Sequence, residues 1–84
     1  EAPIVLLDKI NADINKIVND KQHKNKKICL HIHPFIAAYL SQGFPSIRIQ
    51  WLIKHKKRVR IIPRDAYTYL YYRFYDINNK LIHI

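Results

Sequence analysis

The chain has 84 residues, 49% of them hydrophobic, and 15 Lys/Arg against 6 Asp/Glu give it a formal charge of +9. That length bounds it to one domain, 1–84. The apolar fraction excludes disorder by composition, and no apolar run approaches the roughly 18 residues that a membrane span needs. A single cysteine, Cys29, excludes an internal disulfide framework and fits a reducing, cytoplasmic setting.

A chain this short buries only about 60–65% of the surface its unfolded form exposes, so a further surface to dock against would help it. It starts at Glu1 and contains no methionine, and we expect a piece cut from a longer protein or a processed chain. Between Lys21 and Arg64 stand eleven Lys/Arg and no acid. A field of that sign attracts polyanions, nucleic acid first; the plainer reading is a domain that is merely basic.

Residues 4–20 predict an amphipathic helix, with Leu7, Ile10, Ile14, Ile17 and Val18 at helical spacing and Asp8, Lys9, Asp13 and Lys16 between them. Residues 21–27 read as a solvated basic linker, and the α/β core follows over 28–84. Residues 27–33 alternate, Ile28, Leu30 and Ile32 against Cys29, His31 and His33, which predicts a central strand. Pro34 ends that ladder and suits the first position of a helix carrying Phe35, Ile36, Tyr39 and Leu40. Gly43, the only glycine, falls where a left-handed helix cap is wanted.

Ile47, Ile49 and Trp51 alternate as in a strand. Ser46 is nevertheless a good N-cap, and the cations from Lys54 onward suit a helix C-terminus, so the spacing predicts a helix over 46–56. Val59, Ile61 and Ile62 predict a short strand stopped by Pro63. Residues 67–76 predict an aromatic strand with Leu70, Tyr72 and Phe74 on one face and Tyr67, Tyr69, Tyr71, Arg73 and Tyr75 on the other. Asn78–Asn79 predicts a tight hairpin turn, and Leu81–Ile84 the return strand. The expected order is helix, strand, helix, helix, strand, β-hairpin in a small two-layer α/β domain.

His31 and His33 share a strand face and could supply two metal ligands, but zinc needs a third and usually a fourth; Cys29 lies on that face and could join in principle, while His23, His55 and His83 are scattered without a ligand spacing. The competing reading makes His33 a capping group at a strand-to-helix joint. No acid pair has acid–base spacing, and one glycine cannot make a phosphate-binding loop. Asp65 and Asp76 fall near turns, where Asp bonds its own backbone. Cys29 reads as a buried thiol. No catalytic and no metal-ligating residue is therefore assigned. Lys54, Lys56, Lys57, Arg58, Arg60 and Arg64 are the candidates for phosphate contact, against simple solvation. Tyrosines on a sheet face can stack unpaired bases or pack under another element. Candidate interface residues are Leu7, Ile10, Ile14 and Ile17 on the first helix, with Tyr67, Tyr69, Tyr71 and Tyr75.

The run ICLHIHPFIAAYLSQGFPSIRIQWLIKHKKRVRIIPRDAYTYLYYRFYD resembles the C-terminal small domain of the ribonuclease E/G family. Carrying the resemblance are His31–Ile32–His33–Pro34, Ala37–Ala38–Tyr39–Leu40, Gly43, Lys54, Lys56 and Lys57 ahead of Val59–Arg60–Ile61–Ile62–Pro63, then Leu70, Tyr72 and Phe74–Tyr75–Asp76. The resemblance spans residues 28–84; the polar turn at Asn78–Asn79 lacks the glycine and acids that the family often has there. It implies a degenerate thioredoxin-like fold, without redox chemistry since no Cys-x-x-Cys is present, in a protein that processes and degrades RNA. It also implies that the magnesium-binding carboxylates and the zinc-linking cysteines of such an enzyme lie upstream, so this chain would hold no cofactor. Expected partners are those upstream domains, RNA and further copies of the same chain. A stand-alone basic RNA-binding protein is the alternative, and a metalloenzyme built on His31 and His33 the outsider.

Overall fold

A computed structural model describes residues 2–23 and 26–84, so residues 24–25 of the expected linker lie outside the described residues. Helix α1 (Ala2–Val18) is amphipathic because Leu6, Ile10, Ile14 and Ile17 recur every three or four residues, and all four are buried. A short 3-10 turn, Lys21–His23, follows; it is set by Asp20, whose Oδ1 accepts the Gln22 N–H at 2.9 Å.

Strand β1 (Ile28–Ile32) leads through His33 into α2 (Pro34–Ser41), then α3 (Ile47–His55), β2 (Val59–Pro63) and β3 (Tyr72–Asp76). The sheet is mixed, in the order β2–β1–β3. Strand β1 is central as expected: it pairs parallel with β2 (Ile28 opposite Val59, Ile32 opposite Pro63) and antiparallel with β3 (Ile28 opposite Asp76, Ile32 opposite Tyr72). A parallel pair needs a long crossover, and α2 with α3 supplies it.

Local chemistry sets the helix starts. Pro34 occupies the first turn of α2, where its missing N–H costs nothing, and His33 Nδ1 caps it by accepting the Phe35 N–H at 3.0 Å. Ser46 Oγ accepts the Ile49 N–H at 3.2 Å and starts α3. This cap decides between the two readings of Ile47–Trp51 in favour of helix. Helix α3 ends on Lys56 in the left-handed region at φ 53°, and Gly43 takes φ 77° one residue past the extended cap of α2 at Gln42.

One buried cluster joins the α1 stripe, Ile28, Leu30 and Ile32 of β1, Ile36, Ala37 and Leu40 of α2, Trp51, Val59, Phe74 and Ile82. Burying a side chain of this size contributes about 1.5–3 kcal/mol relative to exposure. Two polar ties cross the core margin. The Trp51 indole N–H donates to Asn11 Oδ1 at 2.6 Å, and the Tyr72 hydroxyl donates to the Asp13 carboxylate.

Two expectations are corrected. The aromatic strand begins at Tyr72, not at residue 67. Its strand partner is β1, which ends at Ile32 opposite Tyr72, so among the described residues those before Tyr72 have no ladder partner. They fold as turns instead, with Tyr67 N–H donating to Arg64 C=O at 3.1 Å and Tyr71 N–H to Thr68 C=O at 3.1 Å. The return segment is not a full strand either. It makes one bridge, Tyr75 to Leu81, formed by Ile82 N–H donating to Phe74 C=O at 2.8 Å and Asp76 N–H to Lys80 C=O at 2.9 Å. Its turn is a three-residue loop. Asn79 N–H donates to Asp76 C=O at 3.0 Å, Asp76 Oδ1 accepts from Asn78 and Lys80, and Asn79 alone of the asparagine pair takes positive φ, 65°.

Candidate nucleic-acid interface

Strand register divides the sheet into two faces. Leu30, Ile61 and Phe74 lie side by side toward the core, so their neighbours Cys29, His31, Arg60, Ile62, Arg73 and Tyr75 occupy the opposite face. The segment 64–71 folds over part of that second face. His31 is only 8% exposed beneath it, with its ring 4.3 Å from that of Tyr75 and its Nδ1 3.0 Å from Arg64 Nη1. Burial, reinforced by the Arg64 charge, holds the His31 pKa below its ordinary value.

The tyrosines mostly engage one another. Tyr67 meets Tyr71 edge-on at 4.7 Å, and burial together with a hydrogen bond to Tyr75 pushes its phenol pKa up. Arg73 lies over the Tyr71 ring at 4.1 Å and Arg64 beside Tyr67 at 5.5 Å, both within cation–π range. Tyr69 leans on His33 and Phe35 at 5.2 and 6.3 Å. The four tyrosines thus build an aromatic seam on the chain's own surface, with Tyr67 and Tyr75 half-buried and Tyr69 and Tyr71 exposed.

Among the phosphate-contact candidates, Lys54, Lys56, Arg58, Arg60 and Arg64 are exposed. Lys57 is corrected. It is 8% exposed, and its ammonium donates to the carbonyls of His23 at 2.5 Å and Lys26 at 2.6 Å, so it clamps the linker to the end of α3. The helix-stripe interface is corrected as well. Ile10, Ile14 and Ile17 are buried in the chain's own core and Leu7 packs against it, so these four side chains serve folding. Cys29, expected to be buried, is half-buried and lines a groove.

That groove, about 500 Å³ in volume, lies between α3 and the N-terminal ends of β1 and β2. Lys27, Arg48, Arg58 and Arg60 line it with Cys29, Ile49, Leu52 and Ile77, and among the described residues no carboxylate contributes to its wall. Among the described residues the one ion pair within 4.0 Å is His23 with Asp20, so the exposed cations of residues 48–64 stand without carboxylate partners. Sequence reasoning missed Arg48, Lys27 and Arg73. Arg48 sits alone in an apolar stretch, and only the turn of α3 brings it to Arg58 and Arg60.

His31 and His33 do not act as a pair: Nδ1 of one faces Arg64, and Nδ1 of the other caps α2. Among the described residues no group of three or more His, Cys, Asp or Glu is placed to hold a metal ion. Asp76 orders the β3 turn through its backbone bonds. No described helix is long and apolar enough to cross a membrane. Comparison with protein-family models, curated proteins and solved structures finds no match to this chain.

Proposed function

We propose that this chain is the small non-catalytic domain of an endoribonuclease of the ribonuclease E/G type, and that it offers RNA a cationic surface while helping subunits pack. The family reading rests on the motif series from His31–Pro34 to Phe74–Asp76, and the degenerate thioredoxin-like ancestry and a cytoplasmic location are proposed with it. Magnesium and zinc would then be held by upstream residues, outside this sequence.

The observation that carries RNA contact is the charge balance of the surface. Arg48, Lys54, Lys56, Arg58, Arg60 and Arg64 are exposed, with no carboxylate in ion-pair range among the described residues. Cations left uncompensated at this density raise the local concentration of a polyanion and bind it by releasing its counterions. The tyrosine seam, engaged with itself, supports stacking less than phosphate contact. Oligomer formation is supported by large apolar side chains left on the surface, among them Ile4, Phe35, Phe44, Ile53 and Leu70.

A stand-alone RNA-binding protein would share this surface, and the chain's self-contained core favours that second reading. The encoding frame upstream of Glu1 separates the two: a nuclease domain followed by paired cysteines supports the first, and its absence the second. RNA contact itself is tested by fluorescence anisotropy of the 84-residue chain with an unstructured oligoribonucleotide over a salt series. Affinity that falls as salt rises is expected; no binding at low salt contradicts the proposal.

A further inference from the structure

We infer that the groove between α3 and the N-terminal ends of β1 and β2 receives one nucleotide of a single-stranded RNA, its phosphate facing Arg48, Arg58 and Arg60 and its base lying on Ile49 and Leu52. This deepens the RNA-contact reading above and rests on it. The wall chemistry selects the occupant. Its charged groups are all cations, which favours an anion, and its remaining side chains are apolar, which suits a flat uncharged group attached to that anion. A nucleotide joins these two parts in one unit. The volume, about 500 Å³, falls in the range of small-ligand pockets, about 300–1,000 Å³. Arginine forks on phosphate are stronger and more directional than lysine contacts, and three of the four cations in the wall are arginines. Arg60 also belongs to the second sheet face, so a strand leaving the groove continues past Cys29 and Tyr75 toward Arg73.

Cys29 provides the test. It is the chain's only cysteine, is half-buried and lines this groove, so its alkylation reports RNA at the groove, and Arg48, on the α3 wall and not on the sheet, separates groove occupancy from passage over the sheet face. The rate of Cys29 modification by iodoacetamide is measured on the whole chain, with and without an oligoadenylate whose binding is followed in parallel by anisotropy. At an oligomer concentration about ten times the dissociation constant, the rate is expected to fall about tenfold, because only the free fraction reacts. Arg48→Glu, a change at an exposed position, is expected to remove the protection while circular dichroism remains that of the parent. Adenosine monophosphate is expected to protect only at far higher concentration. Oligomer binding with an unchanged Cys29 rate overturns the groove assignment and leaves RNA contact standing. Equal protection by the mononucleotide and the oligomer overturns RNA as the occupant. Absence of oligomer binding overturns this inference together with the reading beneath it.

Discussion

Arg64 Nη1 lies 3.0 Å from His31 Nδ1. A guanidinium has donors only, so the imidazole accepts at Nδ1 and, when neutral, carries its proton on Nε2. Protonating His31 would replace that bond by two facing cations, Arg64 and the imidazolium, with Arg73 opposite His31 on β3.

The first prediction concerns acid stability. The pKa of His31 in the folded chain lies below the ordinary value of about 6.5, first through burial and then through Arg64. A base depressed by folding is bound by more protons in the unfolded chain. Its stabilising contribution is therefore full above about pH 6.5 and is lost as pH falls toward the folded value. Burial, with a smaller effect from Lys54, lowers His55 in the same sense. Urea unfolding between about pH 5 and 8 should show stability rising with pH. His31→Gln, which retains a polar acceptor without titrating in this range, should flatten the slope and leave the share owed to His55.

Lys57 gives the second prediction. Its ammonium bonds to two carbonyls, so Lys57→Ala should cost about 1.5–3 kcal/mol by the usual worth of hydrogen bonds to a charged group. RNA affinity should hardly change. Arg58→Ala, one position on and exposed, should do the reverse. Chemical denaturation and anisotropy on both variants check the contrast; equal losses of RNA affinity would make Lys57 a phosphate contact after all.

The third is alkaline. Burial, then the hydrogen bond to Asp13 and the charge on that carboxylate, raise the Tyr72 pKa far above its ordinary value of about 10. The folded chain thus keeps this proton where the unfolded chain loses it. The contribution is full below about pH 10 and declines as pH rises above it. Tyr72→Phe should cost about 1–3 kcal/mol at neutral pH and weaken the alkaline decline, leaving that owed to Tyr67. Spectrophotometric titration of the phenols checks it.

Ile14 is fully buried, and Ile14→Ala should cost about 2–5 kcal/mol. That is a large part of the roughly 5 kcal/mol at the low end for small domains, so circular dichroism should show the variant largely unfolded near room temperature. An Ile14→Ala chain that stays folded but loses only self-association would return the stripe to its expected interface role.

Much of this architecture was legible because it is local. Alternation over Ile28–Ile32 marks β1, Pro34 and His33 mark the start of α2, and the Ser46 cap outweighs the alternation of Ile47, Ile49 and Trp51. What stayed hidden depends on partners distant in sequence. The extent of β3 is set by where β1 ends, not by the tyrosine pattern. Lys57 looks like any member of a basic run until the carbonyls of His23 and Lys26 are found beside it. An apolar stripe such as Ile10–Ile14–Ile17 has the same pattern whether it meets its own sheet or another chain. The groove shares that property: Lys27, Arg48, Arg58 and Ile77 converge only through the crossover and the β3 turn.

The central claim is that the exposed cations of residues 48–64 bind RNA phosphates, and its most direct test is the salt dependence of oligoribonucleotide binding for the parent chain and for Arg58→Glu/Arg60→Glu. The parent's log affinity should fall linearly with log salt, by about 0.7 per phosphate contacted, and the double variant should bind at least about tenfold more weakly with a shallower slope. Equal affinities and equal slopes for the two proteins would contradict the claim.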